Sequence, residues 1–284
     1  MLLSATETAK HMIQILTGVI ALVLYSVSGL LLARRLFQDR TKPEKTSGLS
    51  KLQIICIGLV AVVFHAITLY NTLFVAGGLN LGFFNALSLI TWLIALLVLL
   101  AALSNPVESL GVFLLPLASI AISLEIIFPS TFMLPGVQAL ELKLHIIMSV
   151  LAYSLLSIAA VQSVLLAVQD KHLRDKRPGG FIRALPPLQT METLLFQLIG
   201  LGLAVLTLSL VSGGVYLEDM FAQHLAHKTI LSMTAWVVFA VLLWGRWKFG
   251  WRGRIAIRWT LSGFFVLLLA YIGSKWVVEI MLGR

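Results

Sequence analysis

The most regular feature of the chain is a series of long apolar runs separated by short polar stretches. Each run approaches the length of about 20 residues that a helix needs to cross the hydrocarbon core of a bilayer. The runs are continuous and do not alternate, and hydrocarbon offers the backbone no hydrogen-bond partner but itself, which favours helices over a β-barrel. The sequence therefore predicts an all-α, polytopic membrane helix bundle of about eight transmembrane helices. The runs cover residues 12–33, 52–75, 84–103, 110–128, 144–168, 194–211, 229–244 and 260–280.

No polar stretch between the runs is long enough for a soluble domain, so we expect a single membrane domain over residues 1–284. Residues 169–190 contain three prolines and two adjacent glycines, a composition typical of a linker. We interpret this stretch as a cytoplasmic linker between a five-helix part, about 12–168, and a three-helix part, about 191–281. The first run has the full bilayer length, and we expect it to remain as a helix and not to be cleaved as a signal peptide.

The basic residues are distributed unevenly among the loops. If both termini lie outside, the inner loops contain 16 of the 21 Lys and Arg residues, which is the bias that sets membrane topology. This bias explains the net charge of +9, so we do not expect nucleic-acid binding. With 59% hydrophobic and 12% charged residues, the chain is predicted to be a multi-pass protein of the bacterial inner membrane. The inner basic residues are Arg34, Arg35, Arg40, Lys42, Lys45, Lys51, Lys171, Arg174, Lys176, Arg177, Arg183, Arg246, Lys248, Arg252, Arg254 and Arg258.

Four tryptophans, Trp244, Trp247, Trp251 and Trp259, surround the last inner loop. Tryptophan at a membrane boundary is typical of an anchoring belt, and next to basic residues it predicts contacts with anionic lipids at the inner face.

The single cysteine, Cys56, excludes an intramolecular disulfide, a CxxC redox pair and a c-type haem attachment motif within the chain.

Candidate chemistry begins with histidine, because ionisable residues in membrane segments are costly. His145 opens the fifth run at its predicted outer end, and Ser149, Tyr153 and Ser157 follow at i+4 spacing on the same face. This polar stripe indicates either a binding site or helix packing through small and polar side chains.

His227 opens the seventh run at the same predicted depth, and both histidines have a lysine close by, Lys143 and Lys228. Two neutral imidazoles are suited to ligate the iron of haem b from opposite faces, and two ammonium groups are suited to neutralise its propionates. Structural zinc is less favoured, because His224 and His227 form only an i, i+3 pair without cysteine.

His65 lies near the middle of the second run, with Thr68 and Thr72 along its face. An interhelical hydrogen bond is the simplest role for it, and a second haem ligand or a proton-relay position are the alternatives. Glu125 lies close enough to the predicted outer boundary to be solvated.

Three segments carry a family resemblance: LKLHIIMSVLAYSLLSIAAVQSVLL, METLLFQLIGLGLAVLTLSLVSGGVY and the stretch from HKTILSMTAWVVF to AYIGSKW. They resemble the cytochrome c assembly protein family, the haem-handling membrane proteins of the CcsA and CcmC type, and NALSLITW at 85–92 resembles the family's upstream helix. In size and pattern the chain is similar to the HemX and YpjD branch. The resemblance implies haem handling near the outer face, with His145 at the family's outer histidine and His227 at the start of its next conserved helix.

The chain departs from family members that present haem to apocytochrome. Those proteins carry a Trp-rich outer segment, and the equivalent stretch here, YLEDMFAQHLAHK, has no tryptophan. We therefore expect a non-enzymatic haem-binding protein of cytochrome c assembly or haem supply, with haem-biosynthesis or other assembly proteins as partners. One alternative is a regulatory or scaffolding membrane protein that controls haem biosynthesis or a membrane complex, with structural histidines. A small-solute transporter is a further alternative.

Overall fold

The computed structural model describes residues 2–37, 49–75, 78–129, 133–134, 140–176, 181–216 and 223–275. Within these ranges, eight helices are long and apolar enough to cross a membrane, and the predicted all-α polytopic architecture is confirmed. A short helix in the predicted linker accounts for the ninth. The helices are α1 (Leu2–Phe37), α2 (Lys51–Leu73), α3 (Phe83–Ser104), α4 (Glu108–Ile127), α5 (Leu140–Arg174), α6 (Phe181–Ala184), α7 (Leu188–Tyr216), α8 (Gln223–Phe249) and α9 (Arg254–Lys275).

Several helices extend beyond their apolar runs because local polar contacts continue or cap them. At the start of α2, the Ser50 hydroxyl accepts from the Gln53 amide at 3.3 Å, and the Gln53 side chain accepts from the Ser50 amide at 2.7 Å. This reciprocal pair satisfies two backbone donors that no helical carbonyl reaches. At the end of α5, Arg174 pairs with Asp170 one turn earlier at 2.7 Å, which supports a helical turn outside the apolar core.

The chain divides into two compact units, Met1–Pro135 and Gly136–Arg284. In the first unit, α1 packs along α2 and α4, and α3 packs on both α2 and α4. The approach of α2 to α3 is close at Gly58, where a Cβ would lie 2.8 Å from a methyl carbon of Leu99. Residues such as Val60, Val63 and Ile67 on α2 stay exposed, as expected for a surface that faces lipid.

The first unit also contains a small antiparallel sheet that the sequence did not predict. Its strands are β1 (Phe74–Val75), β2 (Gly78–Asn80) and β3 (Met133–Leu134), in the order β1-β2-β3. Phe74 pairs with Leu79, and Leu79 pairs with Leu134. Strands of two or three residues are too short to show the period-two pattern that identifies a strand in a sequence.

In the second unit, α5 packs along α7 and then α9, and α8 packs on α9 and α7. The Gln162 side chain of α5 donates to the carbonyl of Met191 in α7 at 3.0 Å, which satisfies a buried amide between two apolar helices. Part of the predicted linker is packed as well, since Ile182 and Leu185 are buried and Gln169 donates to the Pro186 carbonyl at 2.9 Å, while residues 171–176 are exposed. The interpretation of the chain as one membrane domain, with a five-helix and a three-helix part, stays a prediction, as does the outside location of both termini.

Candidate functional site

His145 lies near the start of α5, where its imidazole contacts α7. Its Nδ1 atom is 3.0 Å from the backbone carbonyl oxygen of Ser209 and 3.0 Å from the hydroxyl oxygen of Ser212. A carbonyl oxygen can only accept, so this contact requires a proton on Nδ1. The Ser212 hydroxyl itself donates to the same carbonyl at 2.9 Å. The ring of His145 is thereby held in one orientation.

The other nitrogen of His145 is more weakly engaged. The Ser149 hydroxyl lies 3.5 Å from Nε2, a long contact, while it is only 2.8 Å from the Ser209 hydroxyl. With the proton on Nδ1, the neutral ring presents a lone pair at Nε2. A histidine whose Nδ1–H is bound to a carbonyl and whose Nε2 is open has the arrangement common among metal-ligating histidines.

The two predicted lysines have different surroundings. Lys228, near the start of α8, is half-buried, and its ammonium group lies near enough to His145 to act on it electrostatically. Lys143 is exposed on α5. Position 227 belongs to α8, but the side chains of His224 and His227 lie outside the described part of the structure, so the pairing of His145 with His227 stays a prediction.

The polar stripe that follows His145 on α5 is used in helix packing. The ring of Tyr153 lies 6.0 Å from the ring of Tyr271 in α9, and its buried hydroxyl has no hydrogen-bond partner among the described residues. Ser157 donates to the carbonyl of Tyr153, one turn earlier, at 2.7 Å. Haem held between His145 and His227 would require the fifth and seventh spans to be neighbours. Among the described residues the backbone of α5 packs mainly on α7 and α9, so a contact between those two spans stays a prediction.

His65 takes part in a different polar cluster, inside the first unit. Its Nε2 atom is 2.8 Å from the Ser88 hydroxyl of α3, and its Nδ1 atom is 3.4 Å from the Tyr25 hydroxyl of α1. The interhelical hydrogen bond named as the simplest role is present at Nε2, while the contact at Nδ1 is long. The alternative of a haem ligand at His65 stays a prediction.

Sequence reasoning missed the carboxylate at the centre of this cluster. The position of Glu125 near the end of a run suggested that it is solvated. This prediction is wrong, because Glu125 is 1% exposed. Its two carboxylate oxygens accept from Ser88 and, at 2.7 Å, from Thr72. The available signal was a single acidic residue inside an apolar run, which marks a functional position by default.

The basic ends of α5 and α9 form a cleft of about 470 Å³ in the second unit. Arg174 and Arg254 both pair with Asp170 there, at 2.7 and 3.6 Å. Near the end of α8, Trp247 is 82% exposed, as a residue of a membrane-interface belt would be. The prediction of anionic lipid contacts at this face remains a prediction. The cleft is lined by Ala167, Asp170, Lys171, Arg174, Asp175, Arg254, Ile257 and Arg258.

Comparison with known proteins gives one family. The family described as Cytochrome C assembly protein matches residues 53–282. The chain is 33% identical over 270 residues to the inner membrane protein YpjD of Escherichia coli K12, which covers 93% of this chain and 98% of that protein. It is 26% identical to the cytochrome c biogenesis protein CcsA of Chlamydomonas reinhardtii over 52% of this chain and 41% of that protein. For CcsA of Porphyra purpurea the identity is 23%, over 89% of this chain and 93% of that protein. No solved structure matches the chain.

Proposed function

The chain belongs to the cytochrome c assembly protein family, and on that basis we propose that it binds haem b as cargo through His145 and hands it on in cytochrome c assembly or haem supply. We place this activity in the bacterial inner membrane, where the relative from Escherichia coli is named as residing. The chain is a multi-pass membrane protein of this family.

The observation that carries the proposal is the hydrogen bonding of His145. The Ser209 carbonyl at 3.0 Å fixes the proton on Nδ1, so Nε2 keeps the lone pair that an iron ligand needs. Ser149, whose hydroxyl prefers Ser209 at 2.8 Å, makes only a long contact with that lone pair. The residues present therefore fit an axial ligand of haem, and bound haem would supply a redox-active iron.

Lys228 supports an anionic cargo. A half-buried ammonium group near His145 is costly in an apolar span unless an anion offsets it, and no ion pair among the described residues includes it. A propionate is an anion of the required kind. Lys143, which is exposed, would contribute a weaker, solvated interaction.

The proposal is for a carrier and not for an enzyme. The segment before α8 lacks the tryptophans with which attachment-competent relatives are expected to hold haem against an apocytochrome. Cargo binding with release to partner proteins requires only a ligand and a charge partner. Partners in cytochrome assembly or haem biosynthesis are part of the proposal.

The test is the haem content of purified protein from haem-replete cells, measured by absorption and pyridine haemochrome. His145→Gln should reduce the haem-to-protein ratio at least about tenfold, because an amide does not replace the imidazole. His172→Gln is the matched control, since His172 lies on the same helix, is exposed, and donates only to the Val168 carbonyl at 2.9 Å. Lys228→Gln should weaken retention less than His145→Gln does.

A second pair of variants identifies the other axial ligand. If His227 is that ligand, His227→Gln should convert a low-spin to a high-spin spectrum, while His224→Gln three residues earlier should leave it unchanged. Unchanged haem content in His145→Gln, or folded protein without haem, would contradict the proposal and favour the regulatory alternative.

A further inference from the structure

The cluster around Glu125 forms a continuous chain of hydrogen bonds across four helices of the first unit. Tyr25 of α1 lies 3.4 Å from Nδ1 of His65 of α2, and Nε2 of His65 lies 2.8 Å from the hydroxyl of Ser88 of α3. The Ser88 hydroxyl donates to Oε2 of Glu125 of α4, and Thr72 of α2 donates to Oε1 at 2.7 Å. None of these groups belongs to the His145 site.

The four residues of this hydrogen-bond series that follow are almost completely buried. Tyr25, His65 and Ser88 are 0% exposed and Glu125 is 1% exposed. No ion pair among the described residues includes Glu125. An ionised carboxylate in apolar surroundings costs several kcal/mol unless it is paired with a cation or protonated. The titratable groups that face Glu125 are His65 from α2 and, beyond His65, Tyr25 from α1. Among the described residues, the proton that offsets the charge of Glu125 is therefore carried by Glu125 itself or by His65.

Counting protons restricts the possible states. Ser88 has one hydroxyl proton, and Nε2 of His65 and Oε2 of Glu125 lie on either side of it. If Glu125 is protonated, it donates to Ser88, Ser88 donates to Nε2, and the proton on Nδ1 points to the Tyr25 oxygen. If the proton moves, Glu125 gives it to Ser88 while Ser88 gives its own to Nε2. The result is a carboxylate and an imidazolium, with the same number of protons and no net charge in either state.

We propose that Glu125, Ser88 and His65 form a proton-binding site that holds one exchangeable proton, shared between the carboxyl group and the imidazole through the Ser88 hydroxyl. The cargo of this site is a proton, and it is distinct from haem. The two states differ by a dipole inside the membrane span and not in net charge, so the proton can move between the carboxyl group and the imidazole without leaving an isolated charge in hydrocarbon. The inference does not depend on the proposed haem function, because it uses no residue of the second unit.

The experiment is infrared difference spectroscopy of the purified full-length protein in lipid nanodiscs during a pH titration, in H₂O and D₂O. A protonated carboxyl group gives a C=O stretching band that an ionised one lacks and that shifts in D₂O. The wild type should show one such band, and Glu125→Gln should abolish it. Glu108→Gln is the matched control on the same helix, because Glu108 lies 3.0 Å from the ammonium group of Lys51 and is partly exposed.

Thr72→Val keeps the side-chain shape and removes only the hydroxyl that donates to Oε1. It should leave the band in place at higher frequency, because the carboxyl group loses one hydrogen bond. An ionised Glu125 would give no such band, so its shift in this variant identifies the protonated carboxyl group as Glu125. The variant therefore keeps the test informative if Glu125→Gln does not fold.

Sharing of the proton is read from His65. In protein labelled with ¹⁵N-histidine, the signals that disappear in His65→Gln belong to this ring, and they should change over the same pH range as the carboxyl band. Ser88→Ala should uncouple the two titrations. A carboxyl band that Glu125→Gln leaves intact, or a His65 signal that is insensitive to Glu125→Gln, would refute the site. Loss of haem in His65→Gln with both titrations absent would instead assign His65 as an iron ligand.

Discussion

The packing of α5 on α7 leads to a prediction about Gly202. A Cβ added at Gly202 would lie 2.7 Å from Cδ2 and 2.9 Å from Cγ of Leu156. Leu156 is 0% exposed, so its side chain has no free space into which it can turn. Gly202→Ala must therefore push α7 away from α5 or force Leu156 out of its rotamer. Overpacking of this kind costs about 1–3 kcal/mol.

Gly200 provides the matched control, because a Cβ at that position meets nothing within 4 Å. Both substitutions replace glycine with alanine within the same helix, so the gain in helix propensity of about 0.5–1 kcal/mol is common to them. The difference between the two variants isolates the steric cost. We expect Gly202→Ala to be less stable than Gly200→Ala by about 1–3 kcal/mol.

The assay is the free energy of unfolding in mixed micelles, with SDS as denaturant and tryptophan fluorescence as the signal. Leu156→Ala in the Gly202→Ala background should remove the steric part of the cost, which appears as a coupling energy in a double-mutant cycle. Ser209 follows Gly202 by about two helical turns, so a displaced α7 should also weaken the His145 contact and with it the proposed haem binding. Equal stability of the two alanine variants, with no coupling to Leu156, would refute this account of the interface.

Two further predictions concern the second unit and the topology. Arg246 pairs with Glu192 at 3.2 Å, donates to the Trp251 carbonyl at 3.2 Å and lies 4.6 Å from the ring centre of Phe196, so Arg246→Lys should destabilise the protein although it keeps the charge. Glu192→Gln should cost less in the same unfolding assay. A cysteine at exposed Arg252, in a Cys56→Ser background because Cys56 is itself exposed, should react with a membrane-impermeant thiol reagent only after permeabilisation. Ready labelling in intact cells would show that the predicted topology is inverted.

The spans were predictable because each depends on one local property. A membrane helix satisfies its own backbone, so an uninterrupted apolar run is sufficient to locate it. The predicted run 84–103 and the observed α3, Phe83–Ser104, differ by one residue at each end. The run 144–168 underestimates α5, Leu140–Arg174, because the ends of that helix are polar and carry no hydropathy signal.

The partners of the candidate residues were not predictable, because they depend on which helices meet and on how each is rotated. Serine and threonine are both common in membrane helices. Nothing in the local sequence therefore distinguishes Ser209, which contacts His145, from Thr207, which accepts from Trp236. Likewise, Ser88 and Glu125 are 37 residues apart and meet only because α3 packs on α4. The i+4 spacing from His145 indicates a polar face, but the packing of Ser149 against Ser209 of α7 and of Tyr153 against Tyr271 of α9 appears only in the folded unit.

His65 and His145 differ in what lies at the short hydrogen bonds of each ring. An ionisable group in a membrane helix persists only if partners offset its desolvation. For His65 the short contact, at Nε2, leads through the Ser88 hydroxyl to Glu125, and the residue is 0% exposed, so this arrangement is suited to a proton that stays inside the unit. For His145 the strong partners lie on one side only, at Nδ1, and Nε2 keeps a lone pair beside the charge of Lys228. A ring fixed at one nitrogen and only weakly contacted at the other is suited to a ligand from outside the protein, so the distribution of partners, more than the depth of either residue, separates the proposed proton site from the proposed haem site.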